Sequence, residues 1–199
     1  SRRVTITRCD IDVNDDCIAI KSGKDEDGRR IGRPAEDILI TDCIFRYGHG
    51  GVSMGSEMSG GIRNVEIRDS VVMEGNWAPI RFKSQPSRGG VVENIIYRNI
   101  ELQGTLKAFE FNMAWRMVNA RPPADPLPVV RNVRIINVDG RVERLGEMFG
   151  LAGSPIRNVT FEDCDIVAGQ PFVIRHVEEI DVSGLNVEGI DGNAVVNGE

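Results

Sequence analysis

The chain has 199 residues, enough for one domain with a buried core, and a net charge of −6. That charge excludes a nucleic-acid binder built on a dominant basic face, and no apolar stretch is long enough to span a membrane. Glycine is plentiful at 22, hydrophobic residues make up 41% and aromatics only 6%, which favours short strands joined by tight turns over a helical bundle.

In chain order, seven segments repeat one pattern of an apolar residue, a spacer, a second apolar residue and a polar turn. They are Val4-Thr5-Ile6, Ile38-Leu39-Ile40, Val65-Glu66-Ile67, Ile95-Ile96-Tyr97, Val133-Arg134-Ile135, Val159-Thr160-Phe161 and Ile180-Asp181-Val182. Their starts lie roughly 20 to 40 residues apart, the interval expected when each repeat is one coil of a solenoid. Asn64, Asn132 and Asn158 directly precede three of them, and asparagine suits a tight corner because it tolerates left-handed backbone angles. The fifth position after each start reads Cys9, Cys43, Ser70, Ile100, Val138, Cys164 and Leu185, a small or apolar series suited to an interior stack. Three of the four cysteines are thus core residues, not metal ligands or disulfide partners.

A second strand recurs within the same coils: 18–21, 52–55, 80–83, 109–112, then Phe149-Gly150-Leu151, and less cleanly 172–175. Strict alternation turns Ile18, Ile20, Val52, Met54, Ile80, Phe82, Phe109 and Phe111 inward. The architecture expected is all-β: a parallel β-helix forming a single domain over residues 1–199, since the leucine spacing of the competing leucine-rich repeat is missing.

Stacking these strands about 4.8 Å apart gives two outward rows. One is Ala19, Ser53, Arg81 and Glu110; the other is Lys21, Gly55, Lys83 and Asn112. Asp15, His49 and Trp77 stand in register three residues before the strands, so carboxylates, an imidazole and several cations converge on one face. Glycines and small residues between them leave room for a ligand. Alone, each member has a plain reading as a turn cap or a solvated charge; the shared register favours a site. Paired carboxylates suit glycoside hydrolysis, in which one protonates the leaving oxygen while the other activates water. Arg81 and Lys83 suit a uronic acid carboxylate. Adjacent aspartates can hardly span the acid–base gap of an inverting enzyme alone, so a further carboxylate is expected. His176 lies in a late coil and reads as structural or surface.

These residues resemble glycoside hydrolase family 28, the polygalacturonases and their relatives. The likeness runs through Asn14-Asp15-Asp16-Cys17-Ile18-Ala19-Ile20-Lys21-Ser22-Gly23, Gly48-His49-Gly50 and Arg81-Phe82-Lys83. It continues in the 55–61 and 87–90 segments, and the repeat extends it over nearly the whole chain. What the resemblance implies is a right-handed parallel β-helix and inverting hydrolysis of α-1,4-galacturonosyl linkages, with an exo-acting tendency. Asp15 would be the general acid, and Asp16 one of two aspartates that activate water. His49 would support the acid's protonation, and Arg81, Lys83 and Lys21 would bind substrate. No metal or organic cofactor is implied. The implied partner is a pectic polysaccharide or oligogalacturonide, met as a monomer in a secreted or periplasmic setting.

Where the family carries an Asn-x-Asp motif about one coil before the aspartate pair, only fourteen residues precede Asp15 here. The expectation is therefore the C-terminal part of a longer solenoid, poorly soluble and nearly inactive when expressed alone. Rival readings are a rhamnogalacturonan or other uronide hydrolase of the same family, a calcium-dependent pectate lyase, for which no convincing carboxylate cluster stands out, and a non-catalytic carbohydrate-binding β-helix. The charged stretch Asp25-Glu26-Asp27 reads as a loop, and Trp115 to Val130, with four prolines, as a candidate groove wall.

Overall fold

A computed structural model describes residues 1–116 and 121–198. Among these residues, sixteen strands hydrogen-bond into one connected parallel sheet system wound as a right-handed β-helix, and the one helix is Asp25–Ile31. Val4, Ile38, Val65, Ile95, Val133, Val159 and Ile180 form one continuous row of parallel partners, which defines seven coils. All seven repeat starts read from the sequence fall in this row. Each apolar side chain covers its equivalent one coil away, so the core is a set of stacks, with Ile40, Val65, Ile95, Val133 and Val159 almost fully buried.

The second stack also takes its expected place, with Ser70 paired to Ile100, Ile100 to Val138 and Cys164 to Leu185. Cys43 and Cys164 are buried, Cys9 is half-buried, and all three are free thiols.

The third face carries the strands Asp16–Ile20, Gly50–Gly55 and Ile80–Lys83. Ala19, Ser53, Arg81 and Glu110 are in register along it, as are Gly55, Lys83 and Asn112. Inside this face, the Phe82 and Phe111 rings stack at 4.3 Å and Phe109 meets Phe161 edge-on at 5.1 Å, geometries that aromatic quadrupoles favour. Ile18, at the end of the stack, is only half-buried.

The sequence reading misplaces the fifth strand of this face by three residues. Gly146, Glu147, Met148 and Phe149 pair with Phe109, Glu110, Phe111 and Asn112, in place of Phe149-Gly150-Leu151. A glycine takes the inward position because it abuts Phe109: a Cβ there would lie 1.8 Å from the Phe109 carbonyl oxygen. Phe149 points outward, where the Arg175 guanidinium sits 4.7 Å above its ring.

The corners explain the recurring asparagines. Asp37, Asn64, Asn94, Asn132 and Asn158 all have φ between 53° and 57°, one per coil. Their side chains bond in series, Asn94 Nδ2 to Asn64 Oδ1 at 3.2 Å, Asn132 Nδ2 to Asn94 Oδ1 at 3.1 Å and Asn158 Nδ2 to Asn132 Oδ1 at 2.9 Å. A second corner repeats the device at Asp69, Asn99 and Asn137. At these positions an asparagine or aspartate meets the backbone and side-chain needs of the corner together.

The stretch read as a charged loop is helical instead. Asp25 is buried at the helix start, where its Oδ1 accepts hydrogen bonds from Arg88 Nη1 at 2.5 Å and Ser87 Oγ at 2.9 Å. Of the expected groove wall from Trp115 to Val130, residues 117–120 lie outside the described residues. The rest is anchored by Trp115 N to the Ser84 carbonyl at 2.8 Å and Ala124 N to the Pro86 carbonyl at 2.9 Å.

Candidate active site

The turn Asn14-Asp15 delivers two neighbouring carboxyls to the start of the strand Asp16–Ile20, and the backbone sends them to different surroundings. Asp15 remains outside, its side chain 82% exposed. Its Oδ1 accepts the Asp16 N–H at 2.8 Å and stands 3.5 Å from His49 Nδ1. The Asp16 N–H bond, assisted by the Lys83 and His49 charges, holds the Asp15 carboxyl below its ordinary value.

Asp16 turns onto the sheet face, where its side chain is only 4% exposed. Oδ1 accepts hydrogen bonds from Ser53 Oγ at 2.8 Å and Arg81 Nη1 at 2.9 Å, and Oδ2 accepts one from Lys83 Nζ at 2.6 Å. A carboxylate has about four acceptor sites, so one on Oδ2 remains for a water or a sugar hydroxyl. Gly50 makes this convergence possible. A Cβ at that position would lie 2.5 Å from Ser53 Oγ and 3.0 Å from both Arg81 Cδ and Asp16 Oδ1.

His49 donates its backbone N–H to the Asp15 carbonyl at 3.0 Å, and its carbonyl accepts Arg81 Nη1 at 3.1 Å. Its ring packs on the half-exposed Trp77 at 4.5 Å between centroids. Asp15, Asp16, His49, Arg81 and Lys83 are therefore brought together, as their register predicts. Lys21 is held differently, its Nζ bonded to Glu57 at 2.5 Å. Burial and the Asp16 charge push the Cys17 thiol up to about 11, which favours its protonated form near neutral pH.

Three further residues belong to the site. Ser53 reads in the sequence as a small residue of the outward row, yet its hydroxyl holds Asp16. Glu110 stands in the expected outward row, but nothing in the sequence says that it binds Arg81 Nε. Trp115, three residues beyond Asn112, folds back so that its ring lies 4.9 Å from Arg81 Cζ and 5.6 Å from Lys83 Nζ. The row position was the available signal for Ser53 and Glu110; Trp115 was signalled only as the start of the candidate groove wall, not as a partner of Arg81 and Lys83.

The sequence model of Glycosyl hydrolases family 28 matches residues 1–182. The chain belongs to that family. A Vitis vinifera protein described as "Probable polygalacturonase" is 31% identical over 189 residues, covering 88% of this chain and 37% of that protein. The solved hyperthermoactive exopolygalacturonase of Thermotoga maritima is 31% identical with a TM-score of 0.77, over 92% of this chain and 42% of its own. The family 28 exopolygalacturonase of Yersinia enterocolitica superposes with a TM-score of 0.83 at 18% identity, over 98% of this chain and 35% of its own, a likeness of fold. The chain thus spans less than half the length of these relatives.

Proposed function

We propose that this chain carries the acid and the cationic subsite of a pectin-degrading hydrolase that cleaves α-1,4-galacturonosyl linkages with inversion. The observation that carries the reading is the division of labour between Asp15 and Asp16, one open to solvent and the other locked against Arg81 and Lys83. Asp15 stands free to protonate a leaving glycosidic oxygen. Asp16 has one acceptor site left with which to orient a water, and a further carboxylate from elsewhere in the complete solenoid would share that role. Arg81 and Lys83 supply positive charge for a sugar carboxylate, and Trp115 walls them on one side.

An acid must hold its proton, whereas the free Asp15 carboxyl lies below its ordinary value. A bound uronide chain would reverse this, by excluding water and by bringing negative charge close to Asp15. Substrate binding then tunes the acid, which is consistent with a polyanionic substrate.

Exo action is favoured by the likeness to the Thermotoga exopolygalacturonase over 92% of this chain; a Pectobacterium carotovorum endo-polygalacturonase, 36% identical over 107 residues, makes endo action the alternative that product analysis separates. A secreted or periplasmic setting fits a polymer too large to enter a cell. The test is product analysis on polygalacturonate with the complete hydrolase. Free galacturonic acid released as the β-anomer is expected; unsaturated products or retained configuration would reject the reading.

A further inference from the structure

Beneath the two aspartates lies a chain of charges that continues past the proposed site. From Lys83 it runs to Asp16, Arg81, Glu110, Lys107 and Glu147, each in ion-pair contact with the next. Arg81 Nε donates to Glu110 Oε2, while Lys107 Nζ donates to Glu110 Oε1 at 2.8 Å and to Glu147 Oε1 at 2.7 Å. Three acids face three bases, so the network is neutral. It is also largely buried: the Arg81, Glu110, Lys107 and Glu147 side chains are 4%, 10%, 15% and 21% exposed.

We infer that Glu110 is a positioning residue, which fixes the Arg81 guanidinium and sets how strongly that cation draws on Asp16. The inference rests on the proposed function, in which Asp16 is a base. A buried cation needs a full complement of paired charge. Glu110 and Asp16 share Arg81 through different nitrogens, Nε and Nη1, so the orientation of the planar guanidinium is set from both sides. Although burial pushes Glu110 up, the Arg81 and Lys107 charges hold its carboxyl below its ordinary value, so it is the anion that this role needs. Without it, Arg81 keeps Asp16, the His49 carbonyl and the Trp115 ring as partners, with Asp16 its one remaining paired anion among the described residues, and Asp16 becomes a weaker base. The other charges facing Asp16 are Lys83 and, from its own turn, Asp15.

Lys107 acts on the same chain with the opposite sign. It neutralises Glu110 from the far side, and its loss would leave Glu110 free to hold Arg81 more fully. Asp16 then becomes a stronger base.

The test uses Glu110→Gln and Lys107→Met in the complete hydrolase, with Asn94→Ala as a destabilised control in a distant corner. The acid limb of kcat/KM on oligogalacturonate, which reports the essential base, is expected to move to lower pH in Glu110→Gln and to higher pH in Lys107→Met. It should stay in place in Asn94→Ala. The rate of Glu110→Gln should also fall by up to about 100-fold as Arg81 loses its alignment. Titration of the Asp16 carboxyl by carbon NMR in the absence of substrate should show the same two opposite shifts. Unmoved limbs and titrations, or shifts of one sign in both variants, would overturn the inference. A wild-type protein that hydrolyses no galacturonan yet shows the opposite Asp16 shifts would reject the proposed function while leaving the positioning role of Glu110 supported.

Discussion

The carboxyls of Asp15 and Asp16 are adjacent in sequence but opposite in environment, one 82% and the other 4% exposed. The difference arises because the β-strand begins at Asp16. The strand fixes that side chain over the sheet, where successive coils supply Ser53, Arg81 and Lys83, while Asp15 remains in the turn with His49.

Substitutions at the two positions should therefore separate stability from activity. Asp16→Asn removes the charge that pairs two nearly buried cations and should cost about 3 kcal/mol of stability as well as activity. Asp15→Asn should change stability by no more than about 0.5 kcal/mol, since an exposed amide can still accept the Asp16 N–H. Urea denaturation of both variants checks the contrast; equal losses would contradict it.

In the free protein the Asp15 carboxyl should titrate below the ordinary aspartate value, and a bound oligogalacturonate should raise it. The sign matters for rate. The acid is active only when protonated, so kcat/KM should fall with rising pH while still in the acid range. Carbon NMR of the carboxyl, with and without a non-hydrolysable oligomer, reads both states. A free value above that of an ordinary aspartate would count against the account.

Gly146→Ala should be strongly destabilising, by about 3 kcal/mol, because the position has φ of +119° and no space beside the Phe109 carbonyl. A thermal melt tests this directly, and a melting temperature equal to that of the parent would show that the fifth strand sits elsewhere.

At the corner, Asn94→Ala should cost about 2 kcal/mol, from the left-handed backbone and two broken links in the asparagine series. Asn94→Gly relieves the backbone share and should be the milder variant. If denaturation ranks them the other way, the corner device is wrongly described.

The sequence made the coil register legible because every coil repeats the same inward positions, and an apolar residue there must cover the one before it. Val4 through Ile180 follow that rule, and so do Cys9 through Leu185 apart from the small, hydrogen-bonded Ser70. Gly146 broke the pattern: an inward position filled by glycine carries no apolar signal, and the aromatic Phe149 nearby supplied a false one. The helix Asp25–Ile31 was hidden for a different reason. Its buried Asp25 is held by Arg88, 63 residues away, and no local pattern announces such a contact. Within the site, register placed Arg81 beside Glu110 but could not say which nitrogen meets which oxygen. Lys21 shows the same limit, since its row position did not foretell that Glu57 would hold it.

The most direct test of the central claim is reducing-end release from polygalacturonate by the full-length protein carrying these coils, with Asp15→Asn and Asp16→Asn in parallel. The account predicts hydrolysis by the parent and a loss of at least about 100-fold in each folded variant. Parent-like hydrolysis by folded Asp15→Asn, or binding of oligogalacturonate by the parent with no new reducing ends, would contradict it.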